Sequence, residues 1–257
     1  MSDEKEDIIV NDLQREQMLR LITRGFYKEL INYGIDKRNI ITVSSYLLDY
    51  LLKDLKDTTL HKDDAYYNQL FTVKNVKVEW KENHRLIMKE VSISSLKPEM
   101  YAQVAVWLGN PAIKYNFIPL FPESESGLKE YFEHSSRNYF TIYYNNEPVG
   151  VIGADNIDSE SKKLEMRKFV GNTGLQGKGI GKSATFLFLY YSFIIYNIDK
   201  VYIHSGDTNI RNIMLNSKFG FELEGIFFDD VLIQRKKKDV VRMGLMKSRW
   251  VEIFSPS

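Results

Sequence analysis

Cysteine is absent from the 257 residues, which excludes a disulfide framework, zinc-thiolate ligand sets and any cysteinyl acyl-enzyme. A large charge excess is missing too. Thirty-five Lys and Arg stand against 34 Asp and Glu, and no dedicated nucleic-acid binder is expected from that balance. The one dense basic run, Arg235-Lys236-Lys237-Lys238, is flanked by Asp229, Asp230 and Asp239 and reads as a solvated hairpin tip. Long hydrophobic runs are lacking as well. Ala184 to Ile198 is interrupted by Thr185, Ser192 and Asn197, and at about 15 residues it falls short of the ~20 that span a bilayer. The acidic opening, Met1 to Asp7, has none of the features of a signal peptide. These absences together predict a cytoplasmic protein without a membrane partner.

What is present is core material: 44% hydrophobic and 13% aromatic residues, with 16 Tyr. The length allows one large domain or two small ones. Leu19, Ile22, Phe26, Leu30 and Tyr33 recur at three- and four-residue steps, which predicts an amphipathic helix ended by Gly34. A second helix is expected from Thr42 or Ser44 to Leu55, and a third from Asp63 to Phe71. Residues 1–84 thus form an N-terminal helical module without a chemical motif.

From residue 85 the pattern changes, and 85–257 reads as a second unit. Strands are expected at Arg85–Ser92, Asn138–Tyr144, Val149–Ala154, Lys163–Val170, Lys200–Ser205, Phe221–Phe228 and Val240–Met246. Helices are expected at Pro98–Leu108, Glu123–His134, Gly181–Tyr196 and Ile210–Phe219, and Asn145-Asn146 signals a tight turn. The fold class is α+β, with a mixed sheet flanked by helices.

The sharpest local feature is Gln176-Gly177-Lys178-Gly179-Ile180-Gly181-Lys182-Ser183, between a strand and a helix. Glycines turn the chain tightly, and the following helix offers unpaired amides and its positive dipole end, a combination suited to phosphate. A Walker A loop needs four residues between its first Gly and Gly-Lys-Ser; Gly177 to Gly181 leaves three. The dinucleotide pattern fails because Lys182 stands where its third Gly belongs. A glycine turn without a ligand remains open at this point.

Three segments in register resolve it. Gln176-x-x-Gly179-x-Gly181 after Glu165–Val170 resembles the acyl-CoA loop of the GNAT superfamily of N-acetyltransferases. Asn209-x-x-Asn212 followed by Lys218-Phe219-Gly220-Phe221-Glu222-Leu223-Glu224-Gly225 resembles that family's strand exit, helix and next strand. Asp239 to Met246 is similar to its last strand. Trp107-Leu108-Gly109-Asn110-Pro111 resembles a turn of the branch acting on ribosomal-protein N-termini, aminoglycosides and amino sugars.

The resemblance implies a mostly antiparallel central sheet, acetyl-CoA as co-substrate, no metal, and direct attack by a primary amine of a small molecule or protein N-terminus. It implies that Gln176, Gly177, Lys178, Gly179, Ile180, Gly181 and Lys182 hold the coenzyme A pyrophosphate. Phe169 and Val170 would meet the pantetheine arm through their backbone, and Asn209 and Asn212 would meet it from the other side. An amine must lose its proton. His204 stands where many relatives carry a catalytic Glu, and Glu165 is the rival base. The bland alternatives are a hydrogen-bonded core histidine and a solvent-facing glutamate. Tyr115, Phe117 and Phe121 line the acceptor pocket or close the core. Asn216 occupies the position where relatives often have a Tyr acid, so the general acid is unassigned and a non-catalytic acyl-CoA-binding module stays open. A P-loop nucleotide binder is the remaining alternative, and homo-oligomerisation through the N-terminal helices would bury their apolar stripes.

Overall fold

The computed structural model describes residues 3–36, 39–40, 43–44, 46–47, 66–115, 117, 120–175, 177–206 and 209–255. Most of the expected second helix, residues 63–65 of the third, and Gln176 lie outside them.

Nine strands form one sheet in the order β1-β2-β3-β4-β5-β6-β7-β9-β8. They are β1 Lys77–Glu79, β2 Arg85–Met88, β3 Val91–Ser95, β4 Asn138–Tyr144, β5 Glu147–Asp158, β6 Lys163–Val170, β7 Lys200–Gly206, β8 Glu222–Ile233 and β9 Lys236–Met246. The helices are α1 Asp3–Asn32, α2 Tyr101–Leu108, α3 Glu125–Phe132, α4 Ile180–Tyr190, α5 Ile210–Ser217 and α6 Lys247–Phe254, with one-turn helices at Trp80–Asn83 and Pro111–Lys114.

Turn chemistry explains the hairpins. Asn145 and Asn146 both take positive φ (50° and 65°) between β4 and β5, the conformation that matches strand twist in a two-residue loop. Gln234 and Arg235 (50° and 62°) do the same between β8 and β9, which puts the basic run at an exposed hairpin tip. Arg85–Ser92 is not one strand. Lys89 turns with φ 53°, and the continuous apolar alternation on both sides hides that turn in the sequence.

Two cores lie on opposite faces of the sheet. On one, α4 is buried nearly all round, with Ala184, Phe186, Leu187 and Phe188 fully enclosed against Ile93, Phe140, Leu164 and Val201. That explains the long, mostly apolar run, which leaves α4 through a π-turn at Tyr191–Ile195. On the other face, α2, α3 and the Pro111–Lys114 turn pack Val104, Leu128, Phe117 and Phe121 against Tyr139, Val151 and Phe169.

The N-terminal section joins this architecture instead of standing off it. Strand β1 pairs with β2, and Phe71 packs on Phe186 (5.2 Å) and Phe219 (5.4 Å). In the described part of the expected third helix, one turn of 3-10 helix forms, Tyr67–Gln69, because Tyr67 N–H donates to the Lys218 carbonyl at 2.9 Å. Helix α1 lies on β8 by an unexpected face. Leu21 and Gly25 are buried and Met18 is half-buried, whereas Leu19, Phe26 and Tyr33 of the anticipated stripe are 57%, 39% and 81% exposed. Arg24 and Lys28 fix the contact by pairing with buried Asp239 at 3.2 and 3.3 Å. Among the described residues, no helix is long and apolar enough to cross a membrane.

Candidate active site

Every neighbouring pair in the sheet is antiparallel except β6 and β7. These two run parallel and pair at only three positions, Lys163↔Lys200, Leu164↔Val201 and Glu165↔Tyr202. Beyond Glu165 they part: β6 stays with β5 to Val170, and β7 stays with β9 to Gly206. Among the described residues no strand pairs with the inner edge of β6 beyond Glu165, and the split leaves room there for an extended ligand.

A cavity of about 580 Å³ opens at this split. The glycine loop forms one rim. Gly177 (φ 87°) and Gly179 (φ 80°) occupy the left-handed region that a side chain disfavours. Helix α4 then starts without a side-chain cap, leaving its first-turn amides toward the loop. Of the residues expected to hold the co-substrate, Phe169, Val170, Gly177, Gly179, Ile180, Gly181, Lys182, Asn209 and Asn212 line the cavity. Lys178 is exposed outside the lining, and Gln176 lies outside the described residues. The charge of the lining is one-sided. Arg167, Lys168, Lys182, Arg211 and Lys218 contribute cations, and among the described lining residues there is no carboxylate. That donor set fits a polyphosphate. The early section supplies Tyr67, whose ring lies 5.0 Å from Lys182 Nζ and 5.5 Å from Lys218 Nζ.

His204 and Glu165, the two rival bases, prove to be one pair. Register places Glu165 beside Tyr202, two residues before His204 and on the same face. His204 Nδ1 meets Glu165 Oε1 at 3.0 Å, and Asn156 Nδ2 donates to Glu165 Oε2 at 2.8 Å. Glu165 is buried with both oxygens engaged. His204 lines the cavity, half-buried, with Nε2 the nitrogen left to accept a proton.

The aromatic loop divides. Phe117 lines the cavity; Phe121 sits behind it in the core, with the Arg167 guanidinium 4.1 Å from its ring centroid; half-buried Tyr115 packs beside Lys114. Trp107 closes the end of β6, because a Cβ on Gly171 would fall 2.2 Å from its ring. Asp155 is committed to a buried network. It accepts from Tyr139 at 2.9 Å, from Arg167 at 2.9 Å and from Tyr131, and forms an ion pair with Arg137 at 3.3 Å. Burial beside this carboxylate pushes Tyr131 up to about 12 despite the opposing Arg167 charge.

One functional side chain escapes sequence reasoning. Lys168 on β6 faces α5, where its Nζ donates to Asn216 Oδ1 at 3.1 Å. Asn216 is itself buried and donates to the Asn212 carbonyl at 2.8 Å and to Asn212 Oδ1 at 3.1 Å. Loss of hydration in the cleft lowers the Lys168 ammonium to about 7.

Comparisons with known proteins agree with this geometry. Residues 109–221 match the Acetyltransferase (GNAT) family. A spermidine N(1)-acetyltransferase of Vibrio cholerae is 33% identical over 76 residues, 30% of this chain and 44% of that enzyme, so the chain aligns with less than half of that relative. The Escherichia coli enzyme of the same name is 22% identical over 131 residues, 51% of this chain and 70% of the enzyme. Among solved structures, the Vibrio cholerae spermidine N-acetyltransferase in complex with CoA and spermine superposes with a TM-score of 0.59 at 22% identity, covering 63% of this chain and 98% of that one. A dodecameric form of that enzyme gives 0.56 at 22% identity, over 63% and 96%. The split β6–β7 pair, the glycine loop at the head of α4 and the match to the Acetyltransferase (GNAT) family all fall on one region of the chain, and its fold is similar to that of the solved spermidine N-acetyltransferases.

Proposed function

We propose that this protein transfers an acetyl group from acetyl-CoA to a primary amine of a small molecule, by direct attack within a ternary complex. The observation that carries the reading is the cavity at the strand split, whose lining bears five Lys and Arg and, among the described residues, no carboxylate. Such a lining favours the phosphates of coenzyme A, with the α4 amides, Lys182 and Lys218 around them. The thioester arm extends along the open edge of β6, whose N–H groups polarise the acetyl carbonyl and stabilise the oxyanion. His204 takes the amine proton through Nε2, and Glu165 is the positioning residue that fixes the ring from the Nδ1 side.

A polyamine acceptor is supported by the names of the relatives, both spermidine N(1)-acetyltransferases. The test is release of coenzyme A from acetyl-CoA across an amine panel that includes spermidine, spermine, an aminoglycoside and an N-terminal peptide. Turnover with a polyamine and not with the peptide is the expected result. Tight acetyl-CoA binding without turnover of any amine would favour a non-catalytic acyl-CoA module, the reading that Asn216 in place of a Tyr motivates. Displacement of bound acetyl-CoA by ATP would favour the nucleotide binder.

The N-terminal section, residues 1–84, acts in this reading as a helical module joined to the transferase domain of residues 85–257. The exposed apolar line Leu19, Phe26 and Tyr33 on α1 is the surface on which a second copy would pack, a reading supported by the dodecameric relative. Light scattering of a Leu19→Ser/Phe26→Ser/Tyr33→Ser variant tests it, with a smaller assembly expected.

A further inference from the structure

We propose that Lys168, held by Asn216, donates the proton that the coenzyme A thiolate takes up as it leaves. The inference rests on the acetyltransfer reading and names the group which that reading lacks.

The geometry is specific. Alternation along β6 sends Glu165 and Arg167 to the α3 face and Met166 and Lys168 to the α5 face. Glu165 holds His204, so the proton acceptor and Lys168 occupy opposite faces of the sheet. They meet only through the gap where β6 and β7 part, the place where the thioester must lie. An amine approaching from the His204 side expels sulfur toward the α5 side, where Lys168 lines the cavity. Asn216 cannot supply a proton itself, but its Oδ1 accepts from Lys168 Nζ, and its Nδ2 is anchored on Asn212. The amide therefore fixes the ammonium in place of carrying the acidic hydrogen.

The step balances. The amine nitrogen bonds to the acetyl carbon and gives its proton to His204 Nε2. The C–S bond breaks, sulfur keeps the pair, and Lys168 Nζ passes one proton to it. The products are the acetamide and neutral thiol, and solvent exchange returns His204 and Lys168 to their starting states.

The surroundings suit a lysine that gives up its proton near neutral pH. The ionisable groups that line the cavity around it are Arg167 on β6 itself, His204 on β7, Arg211 on α5 and Lys218 just after it, Lys182 on α4, and Tyr67. All but the tyrosine are cationic or become so, and nothing in that set holds the ammonium as an ion-paired carboxylate would. Loss of hydration lowers it to about 7, far from the 10.5 of a solvated lysine and suited to acid work near neutrality.

The test compares wild type, Lys168→Met and Lys168→Arg. In the binary complex with free coenzyme A, the ultraviolet thiolate signal is followed against pH. The bound thiol should ionise at lower pH than free coenzyme A in Lys168→Arg, which keeps a cation beside the sulfur at every pH, and return to the free value in Lys168→Met. With amine added, kcat should fall about 100-fold or more in both variants, while the affinity for acetyl-CoA changes by no more than roughly 5-fold. The descending limb of kcat above pH 7 should vanish in both. If Lys168→Met does not fold, Lys168→Arg still decides the kinetic half. An active wild type whose variants keep kcat and its alkaline limb overturns the inference alone. A wild type that binds acetyl-CoA and turns over no amine overturns the acetyltransfer reading, and the inference with it.

Discussion

His204 Nδ1 lies 3.0 Å from Glu165 Oε1, and the second oxygen of the same carboxylate is held by Asn156 at 2.8 Å. With both oxygens occupied and the side chain buried, Glu165 acts through the imidazole. His204→Ala should lower kcat about 100- to 1,000-fold and Glu165→Gln about 10-fold. The double variant should be no slower than His204→Ala alone, because the glutamate has nothing left to position. Steady-state kinetics on the four proteins checks this, and additive losses would separate the two residues.

The cofactor rim gives a second prediction. Lys182 and Lys218 flank the Tyr67 ring on the cavity wall. Each solvent-accessible cation is worth about 0.5–1 kcal/mol toward a phosphate, so Lys182→Ala and Lys218→Ala should each weaken acetyl-CoA binding about 2- to 5-fold. Raising salt should narrow the gap from wild type. Gly179→Ala should weaken binding more, since its φ of 80° forces a Cβ into a strained backbone worth roughly 1–2 kcal/mol. Titration calorimetry at two ionic strengths separates these effects.

Parts of this arrangement were written locally and parts were not. The Asn145-Asn146 turn, the glycine loop and the long apolar helix are legible because each depends on residues within one turn of chain. The His204–Glu165 pair spans 39 residues and depends on a parallel register of only three positions, which no local pattern encodes. Lys168 reads in sequence as the polar half of strand alternation; its burial comes from α5, which brings Asn216 against it from 48 residues away. The α1 stripe misleads for a related reason. Buried Gly25 lets the helix approach β8 closely, and ion pairs to Asp239, rather than the most hydrophobic arc, select the face.

Stability should depend on pH through Lys168. Its native ammonium ionises near 7 and the unfolded one near 10.5. Below pH 7 both states are charged, and the folded protein bears the full cost of the poorly hydrated cation. Between about 7 and 10.5 the folded state loses its proton first, so stability rises through that window. Lys168→Met never carries the charge. It should therefore melt above wild type at pH 6, with the difference shrinking by pH 10. Thermal unfolding at the two pH values reads it, and a constant difference would count against the lowered ammonium.

The buried network behind the aromatic loop should be intolerant. Asp155 pairs with Arg167 and Arg137 while accepting from Tyr131 and Tyr139. Asp155→Asn keeps the volume and removes the negative charge that pairs with two guanidinium groups, one of them buried. Breaking such a pair costs about 3–5 kcal/mol. Urea unfolding should show that loss with an unchanged m-value. Tyr131→Phe removes one donor to the network and should cost only about 1 kcal/mol.

The N-terminal section makes two contributions, and single substitutions distinguish them. Phe71 is 7% exposed and wedged between Phe186 and Phe219, so Phe71→Ala opens a cavity in the core shared with α4 and should cost about 3–5 kcal/mol. Leu19→Ser and Tyr33→Ser lie on the outward face of α1 and should change subunit stability by no more than about 0.5 kcal/mol. Those two should instead lower the concentration dependence of melting if a second copy covers that face. Equal losses at Phe71 and Leu19 would mean that α1 and the 66–76 segment support the sheet to the same degree. A large loss at Phe71 alone locates the early section's stabilising contact under α4 and α5, beside the wall where Tyr67 meets Lys182 and Lys218.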